Sequence, residues 1–197
     1  MAFLHPGARR LAEANIMRRM ETKASSSPAE DPRILMVTPR YAPLIGGVEN
    51  HVAQVARRLL RAGISITVLT TDPIGSLPKR EQIDGVDVRR VRSWPSNSDL
   101  HLAPGLPKVI TDGPWGVIHV QSYHTFVAPL AMAAALHASI PYVVTFHGGG
   151  HSSRLRNLVR RPQRALLRPL LARADRLIAV ARFETELKHE IAKDTAR

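Results

Sequence analysis

Apolar and polar positions along this chain fall into blocks that alternate between a strand period and a helix period. Residues Ile34 to Val37 form an unbroken apolar run, the pattern of a parallel strand covered on both faces. Thr38-Pro39 ends it, and a short loop leads to Gly46-Gly47. Val48, Val52, Val55, Ala56, Leu59 and Leu60 then share one stripe of a helix. Glu49 sits in its first turn and Arg57, Arg58 and Arg61 in its last, as the helix dipole favours. Gly63 stands where a helix C-terminus places a left-handed residue. A second strand, rich in β-branched residues, is predicted over 64–71. Residues 72–85 read as a polar loop, and Val86, Val88 and Val91 as a shorter strand near a sheet edge. Segment 93–108 is irregular by composition, with Trp94 read as a packing residue at a loop base. The next strand covers 117–120 and runs into QSYHTF, and an alanine- and leucine-rich helix follows over 127–138. Residues 142–146 form a strand that ends in His147 and three glycines. Residues 154–174 are helical in pattern, broken by Pro162 and Pro169, and 177–180 are a last short strand. Phe183, Leu187 and Ile191 mark a final helix. This alternation predicts an α/β fold with an open, mostly parallel sheet and helices on both faces.

In such sheets ligands collect beyond the carboxyl ends of the strands. That rule singles out Pro39 to Gly47, Gln121 to His124, His147 to Gly150, and Ala181-Arg182. Gly46-Gly47 opens a helix behind a strand, which offers free backbone N–H groups to a phosphate. The competing reading is a tight turn that lets helix and strand pack closely. Neither GxGxxG nor GxxxxGK[ST] is present. His147, between a strand and glycines, is the leading single candidate for chemistry, and His124 ends another strand. His119 alternates with Ile118 inside a strand and reads as a packing residue. The histidines at 119, 124, 147 and 151 match no zinc spacing, so no metal is expected. A hydrolytic triad lacks its GxSxG elbow, and few carboxylates lie at strand ends for a glycosidase pair.

Composition narrows the partners. The 197 residues include no cysteine, which excludes disulfides and fits a reducing compartment. No apolar run reaches the roughly 18 residues that span a bilayer, and MAFLHPGARR lacks a secretion signal, so a cytoplasmic location is expected. Lys and Arg number 28 against 16 Asp and Glu, a net charge of +12 that favours anionic partners. Aromatic residues are scarce and not interleaved with the basic clusters, which argues against nucleic acid. Residues 1–31 read as a basic flexible extension, and 32–197 as the folded domain. Eight arginines and one carboxylate between Arg154 and Arg176 form either a solvated face or a lure for a phosphorylated acceptor or an anionic membrane.

Four landmarks occur in order: PRYAPLIGGVENHV, HVQSYH, TFHGGG and ADRLIAVARFETELK. Together, over residues 33–193, they resemble glycosyltransferase family 4, whose fold is called GT-B. The resemblance implies that 32–197 is the N-terminal, Rossmann-like, acceptor-side half of such an enzyme. It implies a nucleotide-sugar donor as substrate, no cofactor, and retaining transfer of a hexosyl group without a bound metal. Gly46 and Gly47 would lie against the donor diphosphate, and His147 beside the donor sugar. His124, Tyr41 and Arg182 would meet a sugar, lipid-linked or phosphorylated acceptor, at a site that could stand at the inner face of the membrane. Ala181 departs from the family's usual serine. The donor domain with its Glu-x7-Glu motif does not occur in these residues. A C-terminal donor domain or partner chain is therefore an expected requirement, without which the chain is expected to be inactive. Two alternatives remain: a non-catalytic binding or regulatory module, and a nucleotide-dependent oxidoreductase with Asp72 as its only candidate ribose ligand.

Overall fold

The computed structural model describes residues 33–96, 100–147 and 167–180, all within the unit Pro32–Arg197. Its elements run β1 (Ile34–Val37), α1 (Gly47–Arg61), β2 (Ile66–Asp72), β3 (Arg80–Ile83), β4 (Val86–Arg92), α2 (Leu106–Thr111), β5 (Val117–Gln121), α3 (Val127–His137), β6 (Tyr142–Phe146) and β7 (Arg176–Ala179). A further helical stretch covers 167–171.

The seven strands form one sheet in the order β3-β4-β2-β1-β5-β6-β7. Every neighbouring pair is parallel except β3–β4. The unbroken apolar run of β1 has its reason in this order: β1 lies inside the sheet, with Met36 opposite Val68 on one side and His119 on the other. Leu35 and Val37 join Ile118, Val120, Val144 and Phe146 in a core covered by α2 and α3. Met36, Val68 and Val88 join Val52 and Ala56 of α1 in a second cluster on the opposite face. The α/β sheet with helices on both faces is the predicted one.

Five local expectations are corrected. Residues 80–83 lie in the segment read as loop, but form β3, an antiparallel hairpin with β4. Its turn, Asp84-Gly85, has φ of 51° and 81°, the two left-handed residues that suit a two-residue hairpin. β4 is consequently longer than read and lies one strand inside the edge, paired with β2 on its other side. The irregular segment contains the short helix α2 and an isolated bridge between Trp94 and Leu102. Trp94 is half exposed rather than packed, and Leu60 falls off the buried stripe of α1. Gly63, at φ 82°, takes the left-handed position expected after α1.

Candidate functional site

α1 begins directly beyond the carboxyl end of β1. Its N-cap, Gly46, is extended at φ −165°, and among the described residues no side-chain cap bonds to the start of the helix. Glu49, in that turn, folds back so that a Cβ at Gly46 would collide with its carboxylate. The carboxylate is buried and pairs through Oε1 with Arg40 Nε at 3.2 Å. Gly47 differs: a Cβ there would meet nothing within 4 Å. Close packing thus explains Gly46 and leaves Gly47 facing open space.

The loop before α1 is held from three sides. Thr38 Oγ1 donates to Arg40 O at 3.0 Å within it, and Thr71 Oγ1 reaches Pro39 O at 2.7 Å from the end of β2. Because that hydroxyl's proton goes to Pro39, His101 Nδ1, 2.9 Å away, donates to Thr71 Oγ1. Arg90, buried under the loop, donates to Ala42 O at 2.7 Å and Pro78 O at 3.2 Å, and pairs with Glu81. Its role could have been read from VDVRR, which places a charge on the inward phase set by Val86 and Val88.

On the α1 face of the sheet, β5 and β6 present His119, Gln121 and Thr145, and His147 follows. His147 Nε2 donates to Gln121 Oε1 at 2.7 Å. Gln121 is 1% exposed, and its Nε2 is buried with no hydrogen-bond partner among the described residues. His119 Nε2 lies 2.7 Å from Thr145 Oγ1. Burial, then the charges of His51 and His147, lower the His119 pKa to about 4. His51, in the second turn of α1, meets His147 edge to face at a centroid distance of 4.9 Å. The start of α1 and the end of β6 therefore converge on one place. Sequence reasoning missed His51; its position four residues beyond Gly47 on the helix was the available signal.

Of the expected site residues, Gly46, Gly47 and His147 gather here. Tyr41 does not: it is 4% exposed in the core beneath α1, where burial raises its pKa despite nearby Arg57. His124 turns inward as well. The chain leaves β5 through Ser122 at φ 69°, after which Tyr123 packs on Phe146 at 5.3 Å and His124 lies 4.1 Å from the Tyr123 ring. Both ring nitrogens of His124 are buried. Arg182, Ala181, Gly148 to Gly150 and most of the arginine-rich segment lie outside the described residues. Asp72 is occupied: its carboxylate accepts N–H bonds from Ile74, Gly75 and Leu77 at 3.2, 2.8 and 2.8 Å. Burial works to raise its pKa, but these bonds and Arg92 outweigh it and hold the group below its ordinary value. A carboxylate so engaged is poorly placed to accept ribose hydroxyls. Among the described residues no three His, Cys, Asp or Glu side chains converge as a metal set.

A mostly parallel sheet with a helix opened by glycines at its carboxyl edge defines the class, a Rossmann-like domain. Sucrose-phosphate synthase from Thermosynechococcus elongatus superposes with a TM-score of 0.60 at 16% identity, over 82% of this chain and 46% of that one. Anabaena HepE, solved with UDP and glucose, gives 0.52 at 17%, over 82% of this chain and 41% of its own. The sequence model of Glycosyltransferase Family 4 matches residues 45–191, and the chain belongs to that family. A GDP-mannose:cellobiosyl-diphosphopolyprenol alpha-mannosyltransferase from Komagataeibacter xylinus is 30% identical over 131 residues, covering 64% of this chain and 33% of that protein. Glycogen synthase from Mycobacterium tuberculosis is 30% identical over 171 residues, covering 74% and 41%. The chain thus spans about a third of the first relative's length and two-fifths of the second's.

Proposed function

We propose that this chain is the acceptor-side half of a retaining glycosyltransferase that moves a hexosyl group from a nucleotide-sugar donor to a lipid-linked sugar acceptor. The convergence of His51 and His147 at 4.9 Å carries the reading, because it joins an uncapped helix N-terminus to a strand-end imidazole. The donor diphosphate lies across Gly46 and Gly47, where N–H groups and the helix dipole stabilise its charge. As the bond from the sugar's anomeric carbon to the diphosphate breaks, that charge grows, and the same groups bind it more strongly. The acceptor hydroxyl bonds to the anomeric carbon and its proton leaves with the nucleoside diphosphate. His147, fixed by Gln121, orients the donor sugar. The lipid-linked acceptor is suggested by the mannosyltransferase relative, whose acceptor is a diphosphopolyprenol sugar. Transfer requires a second half that clamps the donor from across the cleft, supplied by further chain or by a partner.

Calorimetric titration of the chain with GDP-mannose and UDP-glucose, beside NADH, tests the donor assignment. Binding of a nucleotide sugar that Gly47→Val weakens, with no response to NADH, is the expected result. Equal affinity in that variant would remove the diphosphate from this turn. Turnover by this chain alone would overturn the half-enzyme part of the reading, and binding in a reconstituted assembly that never turns over would favour a regulatory module.

A further inference from the structure

Across the sheet from the glycine turn, the α2 face carries a second concavity. Alternation along β4 sends Val86 and Val88 to the α1 side, so Arg89 and Val91 face α2. Between that side of the β3–β4 hairpin and α2 lies a pocket of about 390 Å³, the scale of ordinary small-molecule sites. Val91 and Val109 give it an apolar wall, and Lys79, Arg80, Arg89, Arg90 and Lys108 surround it with cations. Asp112 is the one carboxylate in its lining. With Glu81 and Asp87, which pair with these cations, the balance is still five to three in favour of positive charge.

The ion pairs orient the cations without using them up. Arg80 and Arg89 are cross-strand partners, and like charges directly opposite disfavour a sheet. A single carboxylate, Asp87, serves both. Arg80 donates to its two oxygens through Nε and Nη2 at 2.9 and 3.2 Å, whereas Arg89 donates through Nε alone at 3.2 Å. That leaves both Nη of Arg89, Nη1 of Arg80 and Lys79 Nζ without a hydrogen bond among the described residues. The Arg89 guanidinium rests 5.1 Å from the centre of the Trp115 ring. Trp115 is fixed in turn by its bond to Val109 O at 3.0 Å and by Gly113, where a Cβ would strike the indole. Lys108 is held only by Asp112, at 2.6 Å in an exposed pair that a dianion can outcompete. Arg90 is committed to Ala42 O, Pro78 O and Glu81, and so completes the wall rather than the grip.

We propose that this pocket binds a phosphorylated sugar, with the phosphate held by Lys79, Arg80 and Arg89 and the ring against Val91 and Val109. Planar guanidinium groups with free N–H donors match phosphate oxygens, and the bound anion relieves the repulsion between Arg80 and Arg89. The concave shape and the valine wall favour a sugar ester over the free ion. Gly46, Gly47 and His147 lie on the α1 side of the sheet, so a ligand here stands apart from the donor.

The test is calorimetric titration of the full chain at low salt with glucose 1-phosphate, mannose 6-phosphate, inorganic phosphate and glucose. At least one hexose phosphate should bind more tightly than inorganic phosphate, and glucose should give no heat. Lys79→Gln/Arg89→Gln should weaken that binding about tenfold, the scale of one charge-assisted hydrogen bond, with far-UV circular dichroism confirming the fold. Asp112→Asn removes the competing carboxylate and should tighten binding about threefold. Gly47→Val, which alters the donor turn, should leave this affinity unchanged. Absence of binding, or binding that the double variant retains, would overturn the proposal. So would affinity for inorganic phosphate equal to that for both esters, which would assign the pocket to the free ion. Loss of binding in Gly47→Val would move the ligand to the donor turn and overturn it too. The nucleotide-sugar titration is a separate measurement, so absence of a hexose phosphate from this pocket leaves the donor assignment standing.

Discussion

Phe146 and His147 follow one another at the end of β6 and serve opposite faces of one sheet. On the α3 face, Phe146 is fully buried with Ile118, Val120 and Val144, and its ring meets Tyr123 edge to face. On the α1 face the alternate residues of the same two strands are His119, Gln121 and Thr145, joined by hydrogen bonds and by His51. One face is apolar throughout; the other holds three imidazoles and an amide with one unpartnered end. The pleat sets this division, because successive side chains point to opposite sides of a strand. Stability and chemistry are thereby assigned to alternate positions, and substitutions one residue apart should differ in kind.

The largest expected effect falls on the apolar face. Phe146→Ala should cost about 3–5 kcal/mol in chemical denaturation, because it leaves a cavity in a fully buried layer. A loss no greater than that of His147→Ala would erase the contrast between the faces.

The next effect comes from acid. His119 titrates near 6.5 when unfolded and at about 4 when folded. Its neutral form is therefore favoured in the native state. Its contribution is intact above about pH 6.5 and is lost progressively as pH falls toward 4, by on the order of 3 kcal/mol. His119→Gln should flatten that part of the stability profile; an unchanged slope would show that His119 does not set it.

His147→Ala is expected to leave the melting temperature nearly unchanged while weakening nucleotide-sugar binding about tenfold, the scale of one hydrogen bond. A large fall in melting temperature with unaltered affinity would give His147 a purely structural role.

The finest distinction separates the adjacent glycines. Gly46→Ala should destabilise by about 1 kcal/mol, since it displaces the Glu49 carboxylate from its pair with Arg40. Gly47→Ala should leave stability the same or slightly higher, because it adds a methyl to open space at a helix start. Any loss of donor affinity in that variant then reports on the ligand. If both substitutions destabilised equally, the geometric difference between them would carry no consequence.

Much of this was legible in the chain itself. The apolar run of β1, the glycine-opened amphipathic α1 and the strand ending in His147 are local patterns, each formed by residues close in sequence. Their alternation was enough to specify a parallel α/β sheet. Strand β3 was missed because its polar residues, REQI, hydrogen-bond to one side only at the sheet edge. Its Asp84-Gly85 turn was the signal to weigh.

Which strand-end residues gather was decided by tertiary structure. Tyr41 and His124 occupy the right loops by sequence, but Tyr41 turns into the core beneath α1, and His124, after the left-handed step at Ser122, lies against the Tyr123 ring with its nitrogens buried. His51 and Arg90 carry no motif, yet they reach His147 and the glycine loop across the sheet. A sequence determines periods along the chain because strands and helices repeat every few residues. It leaves unstated which side chains meet across separate elements, since those distances follow from strand order and packing. Elements and their succession along the chain were thus set by local pattern, whereas the pairing of His51 with His147 arose only when α1, packed over β1, β2 and β4, brought its second turn beside the end of β6.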